Sequence, residues 1–127
     1  MHEYSLACEI MDNVVSISES NQAKSVNSIT VGVGKLTHVN PDQLMFCLEA
    51  LVSDNIAQGA EIILNEIYPD MECQCGFSDS GDKFCTRGDE VVDDIRAFLE
   101  VPCPECGKMM HASGGRELII ESIDIEQ

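Results

Sequence analysis

The stretch Glu117-Leu118-Ile119-Ile120-Glu121-Ser122-Ile123-Asp124-Ile125 has the length and branched-apolar content of a β-strand, with Ile119, Ile123 and Ile125 expected on one face. A strand needs a neighbour to receive its backbone hydrogen bonds, and the cysteine-rich residues just before it, Cys73 to Gly107, offer no comparable strand. It is therefore expected to return to the strands of the first half of the chain. That choice decides the architecture, because it turns the cysteine-rich stretch into an excursion from a single sheet.

The first half supplies the partners. Ile29, Val31 and Val33 alternate with small or polar residues and predict a strand running to about Leu36; Glu61 to Tyr68 predicts a second, stopped by Pro69-Asp70. Leu6, Ala7, Ile10, Met11, Val14 and Ile17 recur at three- and four-residue steps, which predicts an amphipathic helix from Glu3 to Ile17, with Ser18-Glu19-Ser20-Asn21 read as a loop. Asn40-Pro41-Asp42 is a helix start, with a capping side chain, a proline at the first helical position and an acid in the first turn. Leu44, Cys47, Leu48, Leu51 and Val52 give that second helix its buried face, on which Cys47, like Cys8 on the first helix, reads as a small core residue. The expected fold is α+β: two helices packed on a three-stranded mixed sheet, with a small module inserted before the C-terminal strand. The expected domains are residues 1–71 plus 115–127, and the inserted module 72–114.

The chain has 127 residues, enough for one modest core, and with only 5% aromatic residues that core rests on Ile, Val, Leu, Met and Cys. The net charge is −16, and it is evenly spread: residues 1–71 hold ten acids and two bases, residues 72–127 thirteen acids and five bases, each net −8. Nucleic acid is excluded as an expected partner, since phosphate binding needs clustered Lys and Arg. No basic and apolar leader opens the sequence and no apolar run approaches the ~20 residues of a membrane span. These features predict a cytoplasmic protein without a membrane partner. There, closely spaced cysteines bind metal or do redox work more often than they form structural disulfides.

Cys73-Gln74-Cys75-Gly76 and Cys103-Pro104-Glu105-Cys106-Gly107 are two cysteine pairs separated by 27 residues. Four thiolates close a tetrahedral Zn(II) site, and a glycine after the second cysteine of each pair permits the positive-φ turn of a zinc knuckle. Cys73, Cys75, Cys103 and Cys106 are the expected ligands and the module is expected to be zinc-ribbon-like. The first pair is one residue shorter than the commoner Cys-x2-Cys, so Cys85 is a rival for a place in it, and His111 is a further competitor. Val91, Val92, Ile95, Phe98 and Leu99 predict a short helix between the pairs. Closed coordination makes the zinc structural, and binding it would supply folding free energy to a module poor in apolar residues.

The other candidate site is the start of the chain, Met1-His2-Glu3. A free amine, a deprotonatable amide and an imidazole at residue 2 close on one ion as fused chelate rings, and planar nitrogen donors suit Ni(II) or Cu(II). The Glu3 amide or carboxylate, or His38, is a candidate fourth ligand. No acid–base pair or nucleophile triad emerges, so no enzymatic activity is expected.

Met1-His2-Glu3, the strand ending in Gly34-Lys35-Leu36, two helices on one sheet and the paired-cysteine module before a terminal strand together resemble the HypA/HybF family of nickel chaperones for [NiFe] hydrogenase maturation. The resemblance implies a nickel site at Met1, His2 and Glu3, structural zinc at Cys73, Cys75, Cys103 and Cys106, and transient Ni(II) as cargo. It also implies two partners, the hydrogenase large-subunit precursor and a nickel-handling maturation GTPase. The chain has no G-x-x-x-x-G-K-[ST] loop of its own. The shorter first cysteine pair, the long intervening segment and Cys85 depart from the family pattern. The competing reading is a zinc-ribbon interaction module with no nickel role.

Overall fold

The computed structural model describes residues 3–84, 86, 87, 90, 91 and 101–127. Among the described residues there are two α-helices, α1 (Glu3–Ser20) and α2 (Pro41–Leu51), and eight strands: β1 (Ser25–Gly34), β2 (Glu61–Ile67), β3 (Asp70–Glu72), β4 (Ser78–Ser80), β5 (Thr86–Arg87), β6 (Glu90–Val91), β7 (His111–Ser113) and β8 (Leu118–Glu126). Two compact units share them. The first comprises Met1–Gly32, Val39–Asn65 and Leu118–Gln127; the second comprises Val33–His38 and Glu66–Glu117.

The principal sheet has the order β2-β1-β8, so the terminal strand does return to the first half. Bonds from the Lys24 amide to the Glu126 carbonyl and from the Gly34 amide to the Glu117 carbonyl tie opposite ends of β1 and β8, which makes that pair antiparallel. The Lys35 amide instead donates to the Ile67 carbonyl, C-terminal end to C-terminal end, so β1 and β2 run parallel with α2 as their crossover. The sheet is mixed for that reason.

In the first unit the core is Ala7, Ile10, Met11 and Val14 of α1, Val26, Ile29 and Val31 of β1, and Leu44 and Leu48 of α2. At roughly 1.5–3 kcal/mol for each fully buried aliphatic side chain, these contacts hold the layers together. α1 runs one turn past the end that the polar residues suggested, because Ser18 lies on the buried stripe, four residues after Val14, and is fully buried. The helix stops where Gln22 takes a left-handed φ of 59° and the Ala23 amide returns to the Ser18 carbonyl. α2 begins as expected: the Asn40 side chain accepts from the Asp42 and Gln43 amides at 3.0 and 3.2 Å, with Pro41 in the first helical position.

In β8 the half-buried residues are Leu118, Ile120, Ile123 and Ile125, while Ile119 is exposed. The inward phase slips by one residue at Glu121-Ser122, as a β-bulge does, and this is why Ile119 does not share a face with Ile123 and Ile125.

The second unit contains a three-stranded antiparallel sheet, β4-β3-β7, and the β5–β6 pair. Its core is Leu36, Met71, Cys73, Val101, Cys103 and Met110, with Tyr68, Phe77, Phe84 and Ala112 packed against it. Gly34 is needed here, since a methyl group on it would overlap the Gly115 carbonyl. The Lys35 ammonium pairs with Glu66 at 2.9 Å and lies 5.3 Å from the centre of the Tyr68 ring. Val91, expected in a helix, belongs to β6; the remaining residues of that expected helix, Val92 to Leu99, lie outside the described residues, as does Cys85.

Candidate metal centre

Each cysteine pair sits in a tight turn built from local bonds. In the first, the Gly76 amide donates to the Cys73 carbonyl at 3.0 Å and the Cys73 amide donates to the Phe77 carbonyl at 2.9 Å, closing the β3–β4 hairpin. In the second, the Gly107 amide donates to the Cys103 carbonyl at 2.9 Å, the Cys103 amide to the Lys108 carbonyl at 2.8 Å, and the Glu105 amide to the Cys103 sulfur at 3.4 Å. Gly76 and Gly107 have φ of 99° and 77°, the backbone conformation for which each glycine was singled out.

These turns bring Cys73, Cys75, Cys103 and Cys106 together, with all four Sγ atoms within 4.8 Å of one another. Cys73 Sγ is 3.3 Å from Cys106 Sγ, and Cys75 Sγ is 3.7 Å from Cys103 Sγ. Tetrahedral Zn–S bonds of ~2.3 Å place neighbouring sulfurs about 3.8 Å apart, so the donor set fits zinc with little movement. The one-residue spacer of the first pair is thus long enough. One cysteine of each pair, Cys73 and Cys103, is buried in the module's apolar core, and the other, Cys75 and Cys106, faces solvent. Metal and core are therefore coupled: the ion would anchor the residues around which Met71, Val101 and Met110 pack. These apolar partners gave no period in the sequence and were not anticipated.

The four sulfurs do not ionise alike without a metal. The Cys75 amide and then the Cys106 thiol donate to the Cys73 sulfur, holding its pKa at about 7 against the opposing effect of burial. At Cys106 the Lys108 amide favours the thiolate, but the bond to Cys73, burial and the bonds to Cys75 and Cys103 outweigh it and push the pKa up to about 12. At Cys75 the Phe77 amide also favours the thiolate, yet its neighbours and burial raise the pKa overall.

His111 lies on β7 opposite Glu72, with Nε2 3.4 Å from the Glu72 carboxylate, and is not one of the clustered donors. His38 is exposed in the turn after β1, with a left-handed φ of 62°; the hydroxyl of the preceding Thr37 donates to the Gly34 carbonyl at 2.8 Å.

At the other candidate site, Met1 and His2 lie outside the described residues. Glu3 is the first residue of α1, and its carboxylate accepts from the Asn40 amide at 3.2 Å, tying the start of α1 to the cap of α2. Sequence reasoning had each half of this contact, Glu3 and Asn40, without the contact itself.

Comparisons with known proteins identify the family. The profile of the family described as "Hydrogenase/urease nickel incorporation, metallochaperone, hypA" matches residues 1–125. The chain is similar to "Hydrogenase maturation factor HypA" of Methanosarcina mazei, 41% identical over 99% of this chain and 93% of that protein. The protein of the same name from Methanothermobacter thermautotrophicus is 35% identical over 100% of this chain and 98% of its own length. The fold matches "Solution structure of the Ni metallochaperone HypA from Helicobacter pylori" with a TM-score of 0.61 at 17% identity, over 99% of this chain and 98% of that one. With its whole length matched and its four sulfurs gathered as such a zinc site requires, the chain belongs to the HypA family of nickel-incorporation metallochaperones for hydrogenase maturation.

Proposed function

We propose that this chain captures Ni(II) at Met1-His2-Glu3 and passes it to the large-subunit precursor of a [NiFe] hydrogenase, working with a nickel-handling maturation GTPase. The observation that carries the reading is the family match beginning at residue 1, over the three residues whose nitrogens make a small-ring chelate. The Met1 amine, the His2 amide and the His2 imidazole supply three nitrogens. The Glu3 carboxylate accepts from the Asn40 amide, and the fourth donor is the Glu3 amide or carboxylate, His38 or a group of the partner. The first amides of a helix have no carbonyl partner within that helix, which makes its start a suitable frame for the chelate.

A fourth position filled by an exchangeable donor suits a carrier, because an incoming ligand from the recipient can displace it. Protons compete for the amine and imidazole, so nickel is held less firmly as pH falls. Zinc held by Cys73, Cys75, Cys103 and Cys106 would have all four positions filled by sulfur and would brace the second unit. The acidic surface, net −16, favours a recipient that presents basic groups.

Equilibrium dialysis against Ni(II) tests this, comparing the native chain with His2→Ala and with a chain lengthened by one N-terminal residue. One tight nickel equivalent is lost in both variants while zinc is retained. If His2→Ala leaves nickel content unchanged, the chelate is refuted and the chain acts through its zinc-ribbon surface alone.

A further inference from the structure

Cys8 and Cys47 take no part in either metal site, and helical geometry puts them on the facing flanks of α1 and α2, which pack together. α1 leads through a short turn into β1, and α2 leaves β1 and returns to the parallel strand β2, so both helices run opposite to β1 and parallel to each other. They pack together, with the Glu3–Asn40 bond pinning their starts at one level. Cys8 is five residues beyond Glu3 and Cys47 seven beyond Asn40, about 7.5 and 10.5 Å along the axes. The Glu3 side chain leans toward its helix N-terminus to reach Asn40, which closes much of that difference.

The rotational positions agree. Ala7, Val14 and Ser18 mark the side of α1 turned toward the core, and Cys8 lies about 100° round from Ala7. The opposite flank of α1, with Leu6, Ile10 and Ile17, lines a groove with Leu118–Ile120 of β8, which leaves the flank of Tyr4 and Cys8 for α2. On α2, Cys47 lies about 60° from the fully buried Leu44 in the opposite sense, toward α1. Neither cysteine is the core residue its helical stripe suggested: both are half-buried free thiols, open to small reagents. Tyr4 stands one turn before Cys8 on the same flank. Tyr4 is exposed, and its pKa is raised above the usual value, first by the neighbouring Cys8 sulfur and also by Cys47.

We propose that Cys8 and Cys47 form an oxidation site that closes a disulfide between α1 and α2 when the protein meets a hydroperoxide. The Cys8 thiolate attacks hydrogen peroxide, the O–O bond breaks, and a sulfenic acid forms as hydroxide leaves and takes up a proton. The Cys47 sulfur then attacks the Cys8 sulfur, expelling the hydroxyl as a second water. Two thiols lose two protons and two electrons, and the peroxide takes them up to become two waters. The pair is independent of the nickel chelate.

The test uses the full, zinc-loaded chain exposed to less than one equivalent of hydrogen peroxide, blocked with N-ethylmaleimide and cleaved after glutamate. Residues 4–9 and 20–49 are then separate peptides, each with one cysteine. The expected product is a linked pair of these peptides, lighter by two hydrogens than their sum, reversed by dithiothreitol and lost in Cys8→Ser and in Cys47→Ser, with the zinc content unchanged. Recovery of both peptides only as separately oxidised or alkylated species overturns the proposal. So does a link found only in the dimer band of a non-reducing gel, because the bond would then join two molecules.

Discussion

Replacing Asn40 tests the junction on which the first unit depends. Its side chain accepts from the Asp42 and Gln43 amides at 3.0 and 3.2 Å, and its own amide donates to Glu3 at 3.2 Å. Asn40→Ala removes the two cap bonds and leaves the third, and for an exposed cap this loss is about 1 kcal/mol. In a chain of this length that lowers Tm by about 3–5 °C. Asn40→Gly costs only a few tenths of a kcal/mol, since water reaches the freed amides. Asn40→Asp keeps an accepting oxygen and favours the helix dipole, but it adds a negative charge beside the Glu3 carboxylate; the two effects nearly cancel, leaving Tm within about 1 °C of the parent. Thermal unfolding followed by far-ultraviolet circular dichroism, at fixed zinc and ionic strength, gives the order. Equal losses for Ala and Asp would refute the capping argument, because they would mean that the oxygen contributes nothing.

Two further outcomes follow from the second unit. Gly34→Ala should destabilise by about 1–3 kcal/mol in urea titrations, because the added methyl meets the Gly115 carbonyl and the Glu117 amide, both backbone groups that cannot step aside; an unchanged midpoint would contradict the close approach of those segments. In metal-free protein, thiolate absorbance should show one sulfur ionising near pH 7, absent in Cys73→Ser. Because that pKa lies below the ~8.5 of an unfolded thiol, its stabilisation is complete above the unfolded value and fades as pH falls through about 7. A first ionisation no lower than that of a free thiol would sink the prediction.

Where a residue's chemistry acts within a few positions, the sequence could be read directly. Asn40-Pro41-Asp42 specified the start of α2 because caps are local, and Gly76 and Gly107 marked the two knuckles because only a left-handed backbone closes them. The four sulfurs of the cluster were legible as a spacing pattern. The return of β8 followed from the need of a strand for partners. What could not be read depended on partners distant in sequence. Ser18 looks like a loop residue until the rest of α1's stripe is packed, and Ile119 looks buried until the pleat slips between Ile120 and Ile123. The three-residue strands β3, β4 and β7 are too short to show a period and exist because the cysteine turns align them. Cys8 and Cys47 fall on apolar stripes, but their half-exposed position reflects the way two helices lie side by side. The pattern fixes which face of each helix is apolar, not where its edge meets the neighbour.

The pairing of β8 with β1 also has a consequence for how the molecule is made. β1 is translated early, yet its antiparallel partner emerges only after the whole cysteine segment has left the ribosome. Throughout that interval β1 has one edge unfilled, whereas the last of the four sulfurs, on Cys106, is synthesised before β8 begins at Leu118. Long-range strand pairing is slow because the intervening chain must be ordered first. The nascent polypeptide is thus expected to gather zinc before its central sheet closes, making metal supply an early checkpoint and strand docking the late, rate-setting event.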